Sequence, residues 1–171
     1  MCEAGIVTED EWERRLAAAW ASLGEREESE FRGVIEGLVA ELPEGSAVAA
    51  FERACSFDST GDSGRAVPLN RQALERGLVG ERRRRAVIQL ASSLRNVGRS
   101  RESVELLTDE LGRGSDHLDD AVATVLALAL TDVGREREAV SVAVGALARH
   151  LPRYQRSMAN YARALVEPDQ G

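Results

Sequence analysis

The feature that most constrains the fold is a glycine that recurs at Gly24, Gly61, Gly98 and Gly134, at separations of 37, 37 and 36 residues. Seven residues before each glycine stands an alanine, Ala17, Ala54, Ala91 or Ala127, small enough to let two helices approach closely. Four before it comes a large apolar residue, Trp20, Phe57, Leu94 or Leu130, on the same helical face as the alanine. Five after it is Ser29, Ala66, Ser103 or Ala139, again small. From the second unit onward the agreement extends to Val67, Val104 and Val140 six residues on, then to Leu74, Leu111 and Leu147 thirteen on. The unit is clearest over residues 81–112, where Val87, Leu90 and Leu94 lead into Asn96-Val97-Gly98-Arg99 and then Ser103-Val104-Glu105-Leu106-Leu107. Two helical patterns joined by a tight turn, repeated at this period, are the signature of an α-solenoid.

In these residues the chain resembles the tetratricopeptide-repeat proteins, in particular the short stand-alone bacterial members. Leu90-Ala91, Leu126-Ala127, Gly98, Gly134, Ala66, Ala139, Ala146 and Leu151-Pro152 match the family's pattern. That pattern has leucine and a small residue on the first helix, glycine at the turn, and small and apolar residues on the second. There are departures. The usual repeat is about 34 residues, so each unit here absorbs two or three more, and Arg53 stands where leucine is expected. The match is good over residues 46–152 and weaker over 8–42, where the second-helix positions shift by one to Phe31, Val34 and Leu38. The resemblance implies an all-α solenoid of antiparallel hairpins winding as a right-handed superhelix, with the first helix of each repeat lining a concave face. Residues 1–44 then form a degenerate N-terminal hairpin. Residues 45–152 hold three repeats, at 46–79, 80–114 and 115–152, and 153–171 supply a capping helix and a polar tail.

The first helix is expected to start after Thr8, an N-cap residue followed by Glu9, Asp10 and Glu11 at the positive end of the helix dipole. Trp12, Leu16, Ala19, Trp20 and Leu23 form its apolar stripe; their spacing reads as core packing rather than as a pair of ligand-stacking rings. Gly24 ends this helix, residues 27–42 return antiparallel to it, and Pro43-Glu44-Gly45 closes the hairpin. The second unit begins near Ser46, turns at residues 59–64 and returns from Arg65, with Pro68 in the first turn of the returning helix. Its glycine-rich turn has no GxxxxGK[ST] pattern and no preceding strand, so it does not read as a phosphate loop.

Arg82–Arg85 places four positive charges at a helix N-terminus, where they oppose the dipole. Two readings stand: pairing with acids of neighbouring helices, or an anionic contact for a partner's acidic segment. Asp116, His117, Asp119 and Asp120 gather carboxylates and a histidine, but a lone histidine lacks the companion ligands of a zinc site, so no metal is expected. His150 reads as a favourable C-terminal residue of its helix. Residues 153–166 form a last helix with Tyr154, Met158, Tyr161 and Leu165 on one face. It either caps the apolar end of the solenoid or pairs with a second copy.

With aromatic residues at only 4%, the core must be built from Ala, Leu and Val. The net charge of −7 argues against nucleic acid and anionic membrane surfaces as partners. All 22 basic residues are arginine. Cys2 and Cys55 are too few for a disulfide framework, and residues 1–7 lack the basic start and apolar run of a secretory signal, so a cytoplasmic location is expected. No dinucleotide, nucleotide or metalloprotease motif is present, and the two histidines do not accompany a nucleophile; no catalytic residue and no cofactor are assigned.

The resemblance implies instead a scaffold that holds a peptide or protein segment in its concave groove. The candidate lining is Glu52, Cys55 and Ser59 from the second unit, Arg85, Gln89, Ser92, Arg95 and Asn96 from the third, and Thr124, Leu128 and Thr131 from the fourth. Gln89, Arg95 and Asn96 resemble by residue type the side chains with which some family members clamp a terminal carboxylate, although Thr124 and Leu128 stand where the cooperating basic residue would be. The alternatives are a self-assembly module forming a homodimer and a regulatory domain sensing a small ligand.

Overall fold

The computed structural model describes residues 8–167; residues 1–7 and 168–171, which carry Cys2 and most of the polar tail, lie outside the described residues. Among the described residues there are nine α-helices and no strand. They fall into two compact units, divided between Leu78 and Val79.

The first unit holds α1 (Glu9–Ala21), α2 (Glu28–Val39), α3 (Ala47–Ser59) and α4 (Ser63–Glu75). Thr8 caps α1, its hydroxyl accepting from the Glu11 N–H at 3.3 Å. The stripe read from sequence is buried at Trp12, Leu16 and Ala19. It packs on Phe31, Ile35, Leu38 and Val39 of α2, so Ile35 holds the central place expected for Val34, which is only partly buried. Both indoles are satisfied: Trp12 Nε1 donates to the Leu38 carbonyl at 2.8 Å and Trp20 Nε1 to Glu52 Oε2 at 2.9 Å. The Trp20 ring meets Phe31 edge-on with centroids 5.1 Å apart.

Arg53, at the position where leucine was expected, forks onto Glu36 of α2 through Nε and Nη2 at 2.8 and 2.6 Å. Here the α2–α3 contact is polar where the corresponding Leu90 and Leu126 are buried. The α3–α4 turn also departs from expectation. Asp62 caps α4 by accepting from the Arg65 N–H at 3.1 Å, so α4 starts at Ser63 rather than Arg65. Pro68 therefore lies beyond the first turn, on the exposed side of the helix.

The second unit holds α5 (Gly80–Asn96), α6 (Ser100–Leu111), α7 (Asp119–Asp132), α8 (Glu136–Ala148) and α9 (Gln155–Ala164). Gly98 and Gly134 turn their hairpins with φ of +80° and +76°, as Gly61 does in the first unit with +79°. In each case the residue after glycine donates back across the turn: Asp62 N–H to Phe57 O at 2.8 Å, Arg99 N–H to Leu94 O at 2.8 Å, Arg135 N–H to Leu130 O at 2.9 Å. This six-to-one bond is the Schellman closure, which requires a left-handed residue and so selects glycine. Gly24 does not share it. It lies in a short 3-10 turn, Leu23–Glu25, without positive φ, and Ala17 is exposed because the buried stripe of α1 runs through Leu16 and Ala19 instead.

The core of the second unit joins Ala91, Val104 and Leu107 of the α5–α6 hairpin to Val122, Leu126, Ala129 and Leu130 of α7. Helix α7 thus seats on both α5 and α6. Its first residue is fixed there by the arginine run. Arg84, buried, donates to Asp119 Oδ1 at 2.6 Å and to the Gly114 carbonyl at 3.2 Å, and lies 3.3 Å from Asp116. Arg83 pairs with the buried Glu110 at 2.6 Å. Of the two readings of this run, pairing with acids of neighbouring helices describes Arg83 and Arg84.

Candidate protein-interaction surface

By the repeat, the face of α7 and α8 that corresponds to the seat of α7 on α5 and α6 should receive one more helix. Helix α9 does not supply it. It packs on α8 through Ser141, whose hydroxyl donates to Ala162 O at 2.7 Å, and Arg137, whose Nε donates to Leu165 O at 3.1 Å. The equivalent residues of α6, Glu105 and Arg101, are exposed, so α9 covers a side of its hairpin that the preceding repeat leaves in solvent. Met158, Ala162 and Leu165 line its inner side, while Tyr154 and Tyr161, placed by the sequence on the same face as Met158 and Leu165, are exposed. The chain enters α9 through Tyr154 at φ +69°, a left-handed conformation strained for a side-chain-bearing residue.

What remains open is a furrow of about 500 Å³ between α7 and α8. Its floor is Ala127, Ala139 and Ala143, and its walls are Leu128, Val140 and Leu147, which are 47%, 49% and 57% exposed. Thr124 and Thr131 lie along the α7 rim with their hydroxyls donating to Asp120 O at 2.6 Å and Ala127 O at 3.0 Å, so neither offers an unspent donor. Asp120 closes one end. Its carboxylate accepts from Arg149 and lies 2.8 Å from His150 Nε2, and these contacts, Arg149 first, hold it below the usual carboxylate range. Neighbouring Asp119 is lowered as well, chiefly by the Ser115 hydroxyl and the Asp116 N–H, then by Arg84 and Arg149. The furrow is therefore an apolar slot with a neutralised polar end. It offers contact area and shape, and no nucleophile–base pair faces it.

The residues expected to line a groove belong to both units, Glu52, Cys55 and Ser59 to the first and the others to the second. Thr124, Leu128 and Thr131 come together in the furrow. Glu52 and Cys55 are buried, Glu52 at 2% exposure with the Trp20 indole on its carboxylate, so neither presents a side chain to a partner. Ser59 is exposed at the last residue of α3. On α5, Arg85, Gln89 and Ser92 are half-buried and Asn96 is exposed at the C-terminal end. Arg95, which with Gln89 and Asn96 resembles by residue type the side chains of a carboxylate clamp, is held by Asp132 of α7, with Nε 2.6 Å from Oδ2. Sequence reasoning missed Val140 because its equivalents Val67 and Val104 belong to the core; Leu147 corresponds to Leu111, itself 40% exposed.

Repeated antiparallel helix hairpins closed by left-handed glycines, with the two hairpins of each unit packed through small and large apolar residues, define a helical-repeat protein. The particular family is the one described as "Tetratrico peptide repeat", whose pattern matches residues 47–165; the chain belongs to the tetratricopeptide-repeat family. Comparison with curated proteins and with solved structures gave no match. The family generally mediates protein–protein interaction and is typically a non-enzymatic scaffold. No helix among the described residues is long and apolar enough to cross a membrane.

Proposed function

We propose that the protein is a non-enzymatic scaffold that seats a segment of a partner protein on the α7–α8 furrow. The observation that carries this reading is the exposure of Leu128, Val140 and Leu147 side by side over an alanine floor. Three large aliphatic side chains left in water on adjacent helices mark a surface made to be covered. The aliphatic walls supply affinity through burial, and the rim threonines with the Asp120–Arg149–His150 end set the boundary of the seat.

The test is site-specific crosslinking in cells of the source organism. A photoreactive amino acid is placed at Leu128 or Leu147, with Glu105 of α6 as an exposed control. A partner that crosslinks from both furrow positions and not from 105 supports the reading. Equal labelling from all three, or none from the furrow, sinks it.

A further inference from the structure

We infer that the occupant of the furrow is an amphipathic α-helix with uncharged ends, lying where the first helix of a next repeat would lie. The inference rests on the furrow being the interaction site and concerns what fills it.

The structure contains its own template for this seat. The glycine register aligns Ala91, Val104 and Leu107 with Ala127, Val140 and Ala143. The first three are buried against Val122, Leu126, Ala129 and Leu130, the apolar side of α7. Of the second three, Ala127 is already buried within its own hairpin, whereas Ala143 is exposed and Val140 stands at 49% exposure where Val104 is at 6%. The seat of α7 thus recurs one repeat later, still apolar and narrow-floored, with its guest missing. Because α9 bonds to the other side of α8, the chain's own last helix leaves this place open.

The two seats differ at their ends. Helix α7 is pinned by Arg84 to Asp119 and by Arg95 to Asp132. The furrow residues in register with Arg84 and Arg95 are Asp120 and Thr131. Asp120 is already matched by Arg149 and His150, and Thr131 bonds its own helix. An occupant with acids at its two ends would meet only an arginine already paired with Asp120. The walls have also changed: Ser92 is replaced by Leu128 and Leu107 by Ala143, which moves bulk from the floor to the α7 rim. The fit is to a helix with aliphatic side chains on one stripe, small residues among them, and no charge in its first or last turn.

The probe is a synthetic helix made from α7 itself, residues 118–133. It carries Asp119→Asn, Asp120→Asn and Asp132→Asn to remove the end charges, and Thr124→Glu with Leu128→Lys joined as a lactam on the face that α7 leaves exposed. A linear peptide of the same sequence with Ala127→Pro keeps the apolar stripe but cannot hold the helix. Fluorescence anisotropy with the full chain is expected to show saturable binding of the stapled helix and none of the proline peptide. Binding should weaken at least about tenfold for host Leu128→Glu and for host Val140→Glu, since each removes a buried aliphatic contact. Both host variants are to be checked for unchanged thermal unfolding, and either one that folds suffices.

Equal binding of the proline peptide would make the occupant an extended segment, overturning the helix while leaving the furrow as the site. No binding of the stapled helix overturns the inference. So does concentration-dependent dimerisation abolished by Leu128→Glu, which would assign the furrow to a second copy. Failure of the crosslinking test at Leu128 and Leu147, by contrast, would remove the site itself.

Discussion

Val104 and Val140 occupy the same place in successive hairpins, six residues after Gly98 and Gly134, yet α7 buries the first to 6% exposure and nothing covers the second, at 49%. Identical residues in identical local structure therefore make different contributions. Val104→Ala is expected to lower stability by about 2 kcal/mol, as lost burial and cavity formation together require. Val140→Ala is expected to stay within about 0.5 kcal/mol, as for other exposed sites. Paired denaturant unfolding of the two variants checks this, and similar losses for both would mean that the furrow is filled in solution.

The repeat glycines divide in the same manner. Gly98→Ala forces a Cβ into a left-handed turn at φ +80° and is expected to cost about 1 kcal/mol, although nothing crowds the added atom. Gly24→Ala faces no such strain and no neighbour within 4 Å, so it is expected to be neutral or to stabilise by up to about 1 kcal/mol through the unfolded state. Thermal melts of the two variants should move in opposite directions or, at the least, differ by several degrees.

Arg84 is the buried tie between α5 and α7. Its removal as Arg84→Ala leaves the Asp119 carboxylate and the Gly114 carbonyl without their guanidinium contacts. The expected loss is about 3 kcal/mol, the size found when one partner of a buried ion pair is deleted. Arg101→Ala, on the exposed side of α6, is the control and should change stability by less than about 0.5 kcal/mol. A small effect at Arg84, measured by urea unfolding, would show that apolar packing alone seats α7.

The depressed carboxyls give a pH signature. Asp119 and Asp120 have folded pKa values below those of the unfolded chain, so the stability they contribute is present above the ordinary carboxylate range near pH 4. It is lost as pH falls through their folded values. Glu36, lowered by Arg53, and Glu41, lowered by Arg15, add to the same trend. Arg149→Gln removes the leading cause of the Asp120 shift and a smaller cause of that at Asp119. The variant is expected to differ from the parent near neutrality and to converge with it in acid. Circular dichroism of urea unfolding at pH 7 and pH 3 tests this; a difference that persists at pH 3 would place the Arg149 effect elsewhere than in these carboxylates.

The chain by itself determined the hairpins. Glycine at the turn, alanine seven before it and an aliphatic or aromatic residue four before it are local requirements of a Schellman closure and a helix face, and sequence displays local requirements directly. Gly61, Gly98 and Gly134 show this, as does the Thr8 cap. Gly24 shows the limit, since a glycine at the right spacing is no guarantee of positive φ when the chain reverses through a 3-10 turn. Only the tertiary structure decided what each hairpin face meets. Glu52 reads as an exposed polar residue until Trp20 of α1 is placed on it, and Arg84 reads as a solvated charge until Asp119 arrives from α7. Val140 reads as core, like Val67 and Val104, until α9 takes the opposite side of α8. Periodicity fixes the direction of a side chain relative to its own helix, whereas burial depends on whether another helix arrives there. On the α7–α8 furrow no helix of the described residues arrives, and that open face makes the candidate site.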